Sequence, residues 1–178
     1  HSPYDLPRQY EQEYEDEFKC WDQINKDSVE RIASDSGYAY MMDEFSVSDP
    51  DWDLVKRWYD AEIAYMDDLL DSLFDFLKSS GIYDNTLIII TSDHGEHFGE
   101  HGLAYHQFSL YEELINVPLL IKYPFSNHTG VSNELVSLVD IAPTVYEYTN
   151  VVVPDNIDGR DIIRDPEPET VFSEFGYP

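Results

Sequence analysis

Residues 87–102 read LIIITSDHGEHFGEHG, an apolar run that empties into three histidines, three acidic residues and three glycines. Asp93 and His94 stand side by side, two and three residues past Thr91. A carboxylate next to an imidazole at a strand end is a donor pair for a divalent cation. A buried strand ending in both groups, with neither cation nor partner, would carry a large desolvation cost. Gly95 then lets the backbone turn away sharply. His97 and His101 continue a three- and four-residue spacing from His94, as on one helix face, but Gly95, Gly99 and Gly102 oppose a helix there. No H-E-x-x-H zinc motif occurs in the run. The sequence therefore offers Asp93 and His94 as metal ligands, and His97 and His101 as structural or solvated loop residues.

These groups need elements to hold them. SDPDW at 48–52 is a helix start, with Asp49 as N-cap, Pro50 at the first helical position and Asp51 and Asp53 near the positive end of the dipole. Val55, Tyr59, Ile63, Met66, Leu70, Leu73 and Leu77 follow at steps of three and four and define one face, and Gly81 is a stop. Thr86 to Thr91 is a β-branched run without alternation, the pattern of a strand buried on both sides. After the loop, FSLYEELIN predicts a short helix, VPLLIKYP a second buried strand and NELVSLV a third strand. DIAPTVYEYT predicts a helix with Asp140 as N-cap and Pro143 in its first turn. Helix, strand, helix, strand, strand, helix is the order of an α/β fold with a mainly parallel central sheet and helices on both faces. In such sheets ligands bind beyond the carboxyl ends of the strands, which is where Asp93 and His94 fall.

The 178 residues suit a single domain, 1–178, with core elements at about 50–160. The start at His1 and the alternating close VFSEFGYP, which reads as a strand beginning near residue 170, suggest an internal piece of a longer protein, cut at both ends. No apolar run approaches the roughly 18 residues of a membrane span. Ten Lys and Arg against 37 Asp and Glu give a net charge of −27, which argues against nucleic acid as a partner. The acids are dispersed rather than gathered in a tail, as suits a cytoplasm or medium of very high salt where counterions screen self-repulsion. We expect a halophile's protein, cytoplasmic in a high-salt organism, with export as the alternative; Asn127-His128-Thr129 fits a glycosylation sequon. A single cysteine, Cys20, rules out an internal disulfide and reads as a small packed side chain.

Several segments in order resemble the sulfatase family of the alkaline phosphatase superfamily. HSPYDLP looks like its H-x-P-Y turn, WYDAEIAYMDDLLDSLFDFL like its Y-x-x-E/A-I-x-x-x-D helix and YDNTLIIITSDHGEHFGEHG like its strand and metal loop. LYEELINVPLLIKYP resembles the Y-E-E-x-x-x-V-P-L-x-I segment, and VSLVDIAPTVYEYTNV the V-S-x-V-D-I-x-P-T helix entry. Only the metal loop is specific alone; five matches in sequence order are a strong signal, covering most of residues 1–7 and 52–160.

The resemblance implies cleavage of a small-molecule or carbohydrate sulfate ester. Asp93 and His94 would be two ligands of the active-site cation, and His1 would contact the sulfate or leaving group. His106, in YHQFSLYEE, falls near where the family places a substrate-binding lysine, so that it would neutralise charge on the ester. The family also uses a formylglycine made from Cys or Ser in a C-x-P-x-R motif, and a pair of early acidic ligands. This sequence contains neither: Cys20 is followed by Trp21, Asp22 and Gln23. Both are expected upstream, and the 178-residue chain alone is expected to lack turnover. Calcium prefers all-oxygen sites, whereas His94 tilts the choice toward manganese or zinc. The same Asp-His pair occurs in related phosphodiesterases, phosphonate hydrolases and phosphoglycerol transferases, which form the alternative, beside a non-catalytic acidic remnant.

Overall fold

A computed structural model describes residues 10, 21–34, 37–126, 129–152, 154–165 and 168–175. The first helices are short. Helix α1 spans Lys26–Ala33, capped by Asn25, whose side chain accepts from the Ser28 N–H. Its Val29, Ile32 and Ala33, at steps of three and one, form a buried face. Helix α2 spans Gly37–Met41. Helix α3, Asp49–Ser79, runs for 31 residues, about 46 Å of helix.

The N-cap of α3 is Ser48, one residue before the Asp49 that the sequence suggests. A capping box decides it: the Ser48 hydroxyl accepts from the Asp51 N–H, and the Asp51 carboxylate accepts from the Ser48 N–H at 3.0 Å. Pro50 falls in the first turn, where its missing N–H costs nothing. Asp51 is buried, yet fully engaged, because it also accepts from the Asn25 N–H at 2.7 Å. One carboxylate thereby joins the starts of α1 and α3. Trp52, Leu54 and Val55 pack on Val29, Ile32 and Ala33 to make the core, with Tyr40 edge-on to Trp52 at 5.2 Å.

The predicted apolar face of α3 is covered only in its first part. Val55 is fully buried and Tyr59 packs on the core, whereas Ile63, Met66 and Leu73 are about half exposed or more. Ala61 is the last buried residue of the helix. The helix ends at the Ser80 C-cap, and Gly81 follows with φ +70°, as its position in the sequence suggests.

Strand β1 is Ile88–Thr91 and pairs with β4, Leu119–Lys122. Between them lie β2, His97–Phe98, β3, Ala104–Tyr105, and the single-turn helix α4, Glu112–Ile115. The α/β class stands, but both described ladders are antiparallel, where a mainly parallel sheet was expected. Ile88 faces Lys122 and Thr91 faces Leu119; His97 faces Tyr105 and Phe98 faces Ala104. The physical reason lies in the connection. A parallel crossover needs a helix long enough to carry the chain back along the sheet. Here a tight hairpin and one helical turn return the chain to the end of β1 that it left. Nor are β1 and β4 buried on both sides: Thr91 and Leu120 are exposed and the other residues intermediate. Lys122 fixes the register by donating to the carbonyls of Tyr83 (2.7 Å) and Thr86 (3.0 Å), over the Tyr83 ring.

NELVSLV does not form a strand. Residues 133–137 are irregular, and Leu138–Asp140 is a 3-10 turn leading into helix α5, Ile141–Thr149. Asp140 is the N-cap position of α5, as the sequence suggests, but its side chain makes no cap hydrogen bond to that helix; it completes instead a capping box with Ser137, which caps the 3-10 turn. The Asp140 carboxylate reaches back to the Ser137 N–H and across to the Arg160 N–H, each at 2.9 Å. Arg160 in turn donates to the carbonyls of Leu135 and Asp165, docking the following segment onto α5. Residues 168–175 show no strand, where one was expected to begin near 170. Among the described residues no helix is long and apolar enough to cross a membrane.

Candidate metal and active site

The loop 92–103 is held by a main-chain contact near its start and by side-chain contacts of Glu100 near its end. Gly95 donates its N–H to the Leu114 carbonyl in α4 at 2.9 Å, and a Cβ at Gly95 would run into the Glu113 carbonyl oxygen. Glycine is therefore required here by the close approach of two backbones, not by the sharp turn that the sequence suggests. At the far end Glu100 accepts from the Phe98 N–H at 2.6 Å and pairs with Lys56 of α3 at 3.2 Å. Burial would raise the Glu100 carboxyl, but the Phe98 N–H and Lys56 outweigh it and hold the group below the ordinary range. The Phe98 ring packs edge-on to Tyr59 at 5.1 Å, which ties the β2–β3 hairpin to the long helix.

Asp93 and His94 emerge just beyond β1, at the strand end where the sequence places them. The His94 N–H donates to Asp93 Oδ1 at 3.1 Å, and His94 Nε2 lies 3.7 Å from the same oxygen. His94 Nδ1 is 2.8 Å from the Gly95 carbonyl, which can only accept. Nδ1 therefore carries the proton and Nε2 the lone pair, the form a metal ligand needs. Two donors about 2.1 Å from one ion at a tetrahedral angle stand about 3.4 Å apart, close to what is seen. The Asp93 side chain is 88% exposed, so the desolvation argument does not apply to it; the donor geometry carries the reading instead. Among the described residues no group of three or more His, Cys, Asp and Glu converges in a way that could hold a metal ion.

His106 joins them. The β2–β3 hairpin returns the chain so that the His106 ring stacks on His94, centroids 4.1 Å apart and planes 20° from parallel. His106 Nδ1 meets Glu96 Oε1 at 3.0 Å, and the Glu96 side chain is 3% exposed. Glu96 is a site residue that the sequence does not single out among 37 acids. Its burial arises only when the hairpin closes over it. His1, the remaining candidate, lies outside the described residues, as do Cys20 and the Asn127-His128 of the sequon.

His97 and His101 form a separate group on the other side of the loop. His97 is fully buried rather than solvated, with Nε2 2.8 Å from the Ser109 hydroxyl. Burial lowers its pKa, and His101 adds to this, against opposing pulls from Glu113, Glu100 and Glu96. His101 stacks on Tyr111 at 3.8 Å and pairs with Glu113 at 3.4 Å. Neither reaches the Asp93–His94 pair through a described contact.

Residues 1–151 match the Sulfatase family model. The chain belongs to the sulfatase family. The N-acetylglucosamine-6-O-sulfatase of Bacteroides thetaiotaomicron is 34% identical over 137 residues, 72% of this chain and 24% of that protein. A solved sulfatase-family relative, described in complex with its substrate D-glucosamine-2-N,6-O-disulfate, superposes with a TM-score of 0.59 at 33% identity over 65% of this chain and 24% of its own. The phosphonate monoester hydrolase of Silicibacter pomeroyi superposes at 0.63 with 25% identity, over 67% of this chain and 23% of its own. This sulfatase-family chain therefore spans about a quarter of the length of these relatives, and its fold is of the alkaline phosphatase type that they share.

Proposed function

We propose that this chain supplies part of the active site of a sulfuric ester hydrolase, with a carbohydrate or other small-molecule sulfate ester as substrate. The observation that carries the reading is the Asp93–His94 pair, one oxygen and one deprotonated ring nitrogen 3.7 Å apart beyond the end of β1. These two would hold a divalent cation together with ligands from elsewhere in the protein. A cation in that position polarises the ester oxygens and neutralises charge that develops on them. The nitrogen donor favours manganese or zinc over calcium. In this reading His106, stacked on His94, would meet the sulfate or the leaving oxygen, and His1 would contact the same ester by its H-x-P-Y context. The nucleophile in this reading is a formylglycine, whose motif the 178 residues do not include. Sulfate is preferred to phosphonate or phosphate as the ester cleaved because the family model that matches residues 1–151 is Sulfatase and several relatives at 33–39% identity are named as sulfatases.

The test is a Mn2+ titration of the chain labelled with 15N-histidine, in molar potassium chloride so that the acidic surface is screened. The His94 and His106 rings broaden first, and Asp93→Ala abolishes that selectivity. Broadening spread evenly over all histidines, or unchanged by Asp93→Ala, would defeat the metal assignment.

A further inference from the structure

We infer that Glu96 is a positioning residue, a buried carboxylate that fixes the tautomer and the plane of His106. The assignment is geometric and rests on the active-site reading only for the purpose the device serves. Glu96 is enclosed at 8% exposure in a chain whose other acids are mostly on the surface, and its Oε1 lies 3.0 Å from His106 Nδ1. A carboxylate accepts and does not donate, so Nδ1 is the protonated nitrogen and Nε2 carries the lone pair. The ring of His106 is then held from two directions, at its edge by Glu96 and across its face by His94.

His94 is held in the same tautomer by a different group, the Gly95 carbonyl. Two stacked imidazoles, each with Nδ1–H tied back to the protein, direct both Nε2 atoms away from those anchors. One Nε2 belongs to the candidate metal ligand. The other, on His106, is the nitrogen that would meet the ester in that reading. Buried partners that orient a ligand or catalytic imidazole are a general device for fixing which nitrogen does chemistry. Glu96 and His106 lie on the two arms of the β2–β3 hairpin, one residue before β2 and one after β3. Closing the hairpin is therefore what assembles the pair.

The experiment is a long-range 1H–15N correlation spectrum of the 15N-histidine-labelled chain, without metal, at a pH well above the ordinary histidine pKa of about 6.5. His106 is expected as the Nδ1–H tautomer. Glu96→Ala converts it to predominantly Nε2–H, the form that imidazole favours in water, while His94 keeps Nδ1–H through Gly95. Glu96→Gln keeps the volume and an acceptor oxygen and retains Nδ1–H at His106. An Nε2–H signal for His106 in the unmodified chain would overturn the assignment without any variant, so the test stands even if Glu96→Ala fails to fold. An unchanged Nδ1–H signal in a folded Glu96→Ala chain would overturn it equally. A purely packing role for Glu96 predicts no tautomer change. The metal reading is tested only by the Mn2+ titration and the Glu96 assignment only by the metal-free spectrum, so the two fail separately.

Discussion

Replacing Gly95 by Ala tests how the loop that carries Asp93 and His94 is held. The added Cβ would overlap the carbonyl oxygen of Glu113 and crowd the Cα of Leu114, which are backbone atoms that cannot rotate aside. Relief requires the loop and α4 to part. That breaks the 2.9 Å hydrogen bond from the Gly95 N–H to the Leu114 carbonyl, worth about 1 kcal/mol net. Forcing a methyl into a packed contact costs about 1–3 kcal/mol more. The sum, about 2–4 kcal/mol, is a large part of the marginal stability of a small domain. Gly102→Ala is the control, because the site is open, with nothing within 4 Å of an added methyl, but φ is +71°. Its cost is the left-handed backbone alone, about 1–2 kcal/mol. Urea unfolding followed by circular dichroism at fixed salt measures both, and the Mn2+ titration reads the site. Gly95→Ala is expected to lose the selective broadening of His94, and Gly102→Ala to keep it. A Gly95→Ala chain as stable as the parent, with His94 still broadened first, would refute the backbone docking on which the site geometry depends.

Two further outcomes follow from the charges. His97 is a base whose folded pKa lies below its ordinary 6.5, so between those values the unfolded chain binds more protons and stability falls as pH drops through about 6.5. One proton gives at most about 1.4 kcal/mol per pH unit; His97→Gln should flatten that part of a stability-against-pH curve, and identical slopes would refute the burial argument. The net charge of −27 predicts that stability rises with potassium chloride into the molar range, because screening removes repulsion among the acids; a flat unfolding midpoint across that range would remove the case for a halophilic chain.

What could be read from the sequence divides by the range of the interaction. The position of Asp93 and His94 just beyond β1 is legible because it depends only on where one strand ends. The start of α3 is legible to within one residue, and the error at Asp49 is instructive: Ser48 wins because its hydroxyl and the Asp51 carboxylate satisfy each other's N–H groups. Glu96 is not legible. Nothing in its type or neighbours separates it from the other acids until the hairpin brings His106 back, ten residues later, to the same spot. The sheet direction is equally hidden, since Ile- and Leu-rich runs look alike in parallel and antiparallel ladders. What decides it is the length of helix between them, and FSLYEELIN yields only the four helical residues Glu112–Ile115. The missing strand at NELVSLV has a local cause, because Ser137 and Asp140 cap a turn there and their hydrogen bonds compete with a ladder.

The electrostatics of the whole chain bear on the proposed reaction as well as on its stability. A sulfate ester is an anion, and a surface with 37 acids against 10 bases repels it at low ionic strength. Asp93 adds to that repulsion, being exposed at the proposed site. Two things reverse it. A divalent cation on Asp93 and His94 would make the immediate site positive, and at 1 M salt the Debye length shrinks to about 3 Å, so that charges beyond the site cease to matter. The His94 and His106 rings, stacked on each other, would stand beside a cation held there. In the proposed reaction high salt would therefore act twice in the same direction, on the repulsion that opposes folding and on the repulsion that opposes an anionic substrate, while the contacts at His94 and His106, a carbonyl and a buried carboxylate, are too close to be screened.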